Sequence, residues 1–145
     1  MARTCTYLNF PRNTEAAFNF YKSVFGGAFI DNGISRFRDI PAAEGMPPIA
    51  EEDLDLVMHV ELAIVGGHVL MGTDAPKSMG FNVNFGNNIH ISIETDTRAE
   101  TDTFFSALSE GGAVTMPLQE MFWGAYFGSL TDQFRVHWMF NCMAK

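Results

Sequence analysis

The chain has 145 residues, 47% of them hydrophobic, and a formal net charge of −8. That length and composition support a real core in one domain or two fused small modules, and no apolar run approaches the roughly 20 residues of a membrane-spanning helix. The acidic balance argues against nucleic acid as a partner, because such binding rests on Lys and Arg neutralising phosphates.

Residues 4–10 read as a short strand ended by Pro11. Asn13 or Thr14 can cap a helix whose apolar positions Ala17, Phe20, Tyr21 and Val24 recur at helical spacing, and Gly26-Gly27 stops it. Residues 28–37 are expected as a strand. Residues 39–55, rich in Pro and acids, are expected as a loop long enough to be a lid or a partner contact. Residues 56–64 alternate, with Met58, Val60, Leu62 and Ile64 on one face and Val57, His59, Glu61 and Ala63 on the other. Gly66-Gly67 signals a hairpin, and residues 68–73 return as its second strand. Residues 74–86 carry Gly, Asn and Pro and read as a linker.

The pattern then starts again. Residues 88–94 alternate as a strand, residues 97–109 form a second helix stopped by Gly111-Gly112, and residues 114–119, 125–130 and 134–141 are strands. A repeated unit sets the architecture before any single residue is weighed. The expected organisation is one domain over residues 1–145, with a βαβββ module at 1–75, a linker at 76–86 and a second βαβββ module at 87–145.

Cys5 and Cys142 are too few and too far apart for a disulfide framework or a zinc motif, and neither has a Lys or Arg beside it to favour a thiolate. The start, Met1-Ala2-Arg3-Thr4, lacks the apolar stretch of a secretory signal, so a cytoplasmic location without membrane attachment is expected. Fourteen Phe and nine Met point to an adaptable cavity or an extensive subunit interface.

Several stretches carry a resemblance to a known family. They include Asn13-Thr14-Glu15-Ala16-Ala17, Phe20-Tyr21-Lys22-Ser23-Val24-Phe25-Gly26-Gly27, His59 to Glu61, Gly72-Thr73-Asp74-Ala75, Glu120-Met121-Phe122-Trp123-Gly124 and Gly128-Ser129-Leu130-Thr131-Asp132-Gln133-Phe134. With two βαβββ modules, the chain resembles the PhnB-like branch of the vicinal oxygen chelate superfamily, which includes glyoxalase I, extradiol dioxygenases and bleomycin-resistance proteins. The resemblance covers nearly the whole chain. It implies an α+β fold in which the two modules form a cup, and a homodimer. Some PhnB-like proteins carry a ubiquinone-methyltransferase label, but this chain has no glycine-rich cofactor loop to support one.

The superfamily implies a divalent metal held by four residues from four strands, chelating two substrate oxygens as a Lewis acid. Laying that pattern on this chain puts the ligands at Thr6, near Met71, at Asn88 and near Met139. None suits a hard divalent ion. No cofactor is therefore expected. A metal would enter only through a shifted site built from His59, Glu61, His90 and His137, which would point into the cup if the apolar strand faces pack on the helices.

Three readings follow. The first is a metal-independent small-molecule-binding protein, with Met71, Trp123, Met139, Tyr7, Phe122 and Phe127 as apolar lining. Thr6, His59, Glu61, Asn88, His90 and His137 would be its polar groups. The alternative is a metal-dependent lyase, isomerase or dioxygenase using the shifted site, with His59 and Glu61 as candidate base and orienting carboxylate. The third is an interaction protein whose cup is filled by its own side chains. Bulky Met at two metal positions favours the first and third over the metal-dependent enzyme, and the first is the reading adopted.

Overall fold

In a computed structural model, residues 1–41 and 47–145 are described; residues 42–46, inside the expected 39–55 loop, lie outside the described residues. Among the described residues, eight strands and two α-helices run in the order β1 (Thr6–Phe10), α1 (Thr14–Phe25), β2 (Ser35–Arg36), β3 (Val57–Ala63), β4 (Val69–Asp74), β5 (Ile91–Glu94), α2 (Arg98–Ser109), β6 (Ala113–Glu120), β7 (Tyr126–Thr131) and β8 (His137–Cys142). They form two compact units, Met1–Asn84 and Phe85–Lys145. Each unit holds one helix and one four-stranded sheet, in the order β1-β4-β3-β2 in the first and β5-β8-β7-β6 in the second. In both, the strand before the helix runs parallel to the last strand of the unit, and the remaining pairings are antiparallel. The fold is α+β, two βαβββ modules, as the repeat implies.

Where elements differ from expectation, local chemistry accounts for it. The strand expected at 28–37 shrinks to Ser35–Arg36 and an isolated bridge between Phe29 and Leu62. Between them the chain turns through left-handed residues Asp31 (φ 58°) and Gly33 (φ 79°), a conformation no strand can contain. Asp74 is the last residue of β4 rather than the start of a linker, and it is buried. The strand expected from residue 88 begins only at Ile91.

In the first unit Ala17, Phe18 and Tyr21 are fully buried and pack α1 on β3 and β4. Phe18 takes the place that spacing assigned to Phe20, because β4 carries Gly72 beneath it. A Cβ built on Gly72 would lie 2.4 Å from Phe18 Cε1, so the glycine is what lets the ring reach the sheet. In the second unit the aromatic mass comes from the strand. Trp138 and Phe140 are buried on β8, and Phe140 meets Phe105 of α2 edge-on with ring centroids 5.9 Å apart. Burying such a side chain is worth roughly 1.5–3 kcal/mol.

Each unit also buries a carboxylate at a strand end and satisfies it, Asp74 in the first and Asp132 in the second. Asp74 accepts from the Thr14 backbone N–H (3.0 Å), the Thr14 hydroxyl (2.7 Å) and the Val57 N–H (2.8 Å). It therefore ties the start of α1 to the start of β3, while Asn13 makes no side-chain cap bond. Asp132 accepts from the N–H groups of Phe134 (2.7 Å) and Val136 (3.1 Å) and from the Trp138 indole (2.9 Å). A buried charge without such donors would be expensive.

Candidate functional site

Because strand side chains alternate, the pairing register decides which residues can meet. In the first unit Thr6, Leu70 and Leu62 form one row across the sheet, and Tyr7, Met71 and Glu61 form the next. The first row lies on the face covered by α1, where Gly72 receives Phe18. The second lies on the opposite face, and His59, two residues before Glu61, shares it.

On that face four polar groups form a chain. The Tyr7 hydroxyl is 3.2 Å from His59 Nδ1, His59 Nε2 is 3.6 Å from Glu61 Oε2, and Glu61 Oε1 accepts from Arg3 at 3.2 Å. Glu61 beside Nε2 favours the neutral ring keeping its proton there, which leaves Nδ1 to accept from the Tyr7 hydroxyl. The Tyr7 phenol is raised above its ordinary pKa, chiefly by burial. The Thr73 hydroxyl offsets part of the rise and the Glu61 carboxylate adds to it. Tyr7 is thus a proton donor at neutral pH. His59 and Glu61, paired from sequence, do come together. Arg3 was not singled out as part of the group, because the register that brings it near is not written in β1 itself.

Thr6 does not belong here. Its row places it on the α1 face, opposite Met71, and its hydroxyl lies 2.8 Å from His68 Nε2. The two ligand positions expected in the first module therefore cannot converge.

In the second unit, the face turned from α2 carries the row Ser92, Met139 and Ser129. His137 shares this face, and both its nitrogens are engaged. Nε2 donates to the Gly86 carbonyl (2.7 Å), and Nδ1 pairs with the Thr131 hydroxyl (2.9 Å). His90 precedes β5 rather than lying in it, with its ring 5.4 Å from that of His137. Asn88 is exposed and outside any strand. Trp123 is half-exposed in the β6–β7 connection, between Phe122 (5.1 Å) and Phe127 (5.9 Å).

The donor set does not fit a hard divalent ion. Thr6 is on the wrong face, Met71 and Met139 offer only thioether sulfur, and both His137 nitrogens are committed. Among the described residues, no group of three or more His, Cys, Asp or Glu is arranged to hold a metal ion. Nor is any helix among them long and apolar enough to cross a membrane.

Comparison with known proteins places this geometry. A family model described as 3-demethylubiquinone-9 3-methyltransferase matches residues 2–140. The crystal structure of protein PA1353 from Pseudomonas aeruginosa superposes with a TM-score of 0.80 at 34% identity, covering 98% of each chain. A PhnB protein from Bacillus cereus superposes with a TM-score of 0.73 at 28% identity, over 97% of this chain and 99% of that one. A glyoxalase/bleomycin resistance protein/dioxygenase domain from Frankia shares the fold, with a TM-score of 0.64 at 13% identity over 98% and 97% of the two chains.

Proposed function

The chain belongs to the PhnB-like family of the glyoxalase/bleomycin-resistance superfamily, and from that membership we propose that it binds a small organic molecule without the superfamily's divalent metal. Membership supplies the fold and leaves the chemistry to the site. The observation that carries the reading is the Tyr7–His59–Glu61 chain beside Met71, on the sheet face turned from α1. It sets a few convergent polar groups against an adaptable thioether, the usual makeup of a small-molecule site. The corresponding row of the second unit, Ser92–Met139–Ser129, with Trp123 and Phe127, offers neutral hydroxyl, thioether and aromatic contacts.

The protein works as a cytoplasmic homodimer in this reading. Exposed Phe122, Ile89 and Phe81 are apolar surface that a second copy would cover.

Native mass spectrometry of the full chain, purified without chelator or metal-affinity tag, tests the proposal. The expected result is a metal-free dimer that retains an organic mass, and that mass is lost in the Tyr7→Phe and His59→Ala variants. A divalent metal at one per chain, lost on changing His59 or His90 to Ala, would replace this reading with a metal-dependent enzyme. A monomer would remove the dimer.

A further inference from the structure

At the Thr131–His137 end of its face turned from α2, the second unit holds an open cleft of about 450 Å³ lined by Phe85, Gly86, Asn87, Thr131, Arg135 and His137. Its charge comes from Arg135. The guanidinium carbon sits 4.5 Å from the centroid of the Phe85 ring. A guanidinium stacked this way keeps its N–H groups in its own plane, free to fork onto an oxyanion. Arg135 is in no ion pair among the described residues. The unit's other cations are Arg98, bound to Glu120 and the Ala144 carbonyl, and Lys145.

The backbone at Arg135 is a second, independent observation. Its φ is 72°, a left-handed conformation that glycine adopts freely and arginine at a cost. Residues kept in such conformations cluster at ligand clamps. Both His137 nitrogens are already engaged, Nε2 by the Gly86 carbonyl and Nδ1 by the Thr131 hydroxyl, so the forked donor of the cleft is Arg135.

We propose that this cleft binds a small organic acid through its carboxylate, forked by Arg135 and flanked by the Asn87 amide. One guanidinium balances one negative charge. A doubly charged phosphate would keep an excess in a protein already at −8.

The test is isothermal titration of the full chain with benzoate, acetate and inorganic phosphate, for the wild type, Arg135→Gly and Arg135→Lys. Benzoate or acetate should bind the wild type about tenfold or more tightly than Arg135→Gly, as the loss of a charge-assisted fork implies. Arg135→Lys, a point charge without the fork, should fall between them. The melting temperature of Arg135→Gly should be no lower than that of the wild type, because glycine suits this φ, so lost binding is not lost folding. Equal affinity in all three proteins, binding of phosphate alone, or no binding of either acid by the wild type would overturn the proposal. The residues tested belong to the second unit, so such a failure would leave the Tyr7–His59–Glu61 reading standing.

Discussion

The two units share strand order and register, yet they fill equivalent places with different chemistry. Leu70 pairs with Thr6 in the first unit as Trp138 pairs with Ile91 in the second, and two residues on stand Gly72 and Phe140. One unit brings its ring from the helix onto a bare strand, and the other brings it from the strand. On the opposite faces, Tyr7–Met71–Glu61 is ionisable where Ser92–Met139–Ser129 is neutral. The fold asks only that one set of rows be apolar and space-filling. The other set is free to carry function, and in these two units it has diverged.

The sharpest way to break the comparison is at the buried carboxylates Asp74 and Asp132. Asp74→Ala strands two N–H groups and a hydroxyl, and Asp132→Ala strands two N–H groups and an indole. Each change should cost about 3 kcal/mol or more, the scale of several lost bonds to a charged group. Hydrogen exchange on the full chain should show the first loosening α1 and β3, and the second β7 and β8. Identical patterns of lost protection would mean that the units do not respond separately.

Next in size is the aromatic exchange. Gly72→Ala forces a methyl group against the Phe18 ring and should destabilise by about 1–3 kcal/mol. Phe18→Leu in the same chain should recover part of that loss in a denaturant titration. Additive costs would show that the Phe18–Gly72 contact is not what couples helix to strand.

These contrasts also show what the sequence discloses. Alternation in β3 and the glycine-stopped helices are local patterns, so the repeat and both modules were legible. The pairing of His59 with Glu61 was legible for the same reason. Register between strands far apart in sequence was not, and so Thr6 was expected beside Met71 when β1 turns it to the other face. Phe20 was chosen over Phe18 because nothing within α1 says that Gly72 lies opposite. Arg135 was read as part of a strand over 134–141, since neither its positive φ nor its stacking on Phe85 is visible without the fold.

A smaller effect is set by pH. Glu15, Asp53 and Asp55 all belong to the first unit and are held below the ordinary carboxylate range. Hydrogen bonds from Arg36, from Ser78 with Arg12, and from Arg38 respectively are the leading causes. A carboxyl lowered in the folded state contributes stability above its ordinary pKa, near 4, and that contribution fades as pH falls through the lowered value. The first unit should therefore lose hydrogen-exchange protection before the second as pH drops below about 4. Asp53→Asn should flatten this dependence. Loss beginning in the second unit would reverse the assignment.

The smallest effect separates the two helix starts. In α2 the Thr97 side chain accepts from the Glu100 N–H at 3.1 Å, so the helix caps itself from its own sequence. In α1 the residue in that place, Asn13, makes no such bond, and the Thr14 N–H goes instead to Asp74 across the sheet. Thr97→Ala should then cost about 1 kcal/mol, the usual worth of an N-cap. Asn13→Ala should stay within about 0.5 kcal/mol of the wild type, as an exposed side chain without a partner would. Both are read from urea midpoints at constant m-value. Equal costs would mean that Asn13 caps α1 in solution and that Asp74 is not a replacement for it. The expected inequality would show one helix started by local sequence and the other by a residue 60 positions away, which is why a repeat so plain in pattern hides two different ways of being held together.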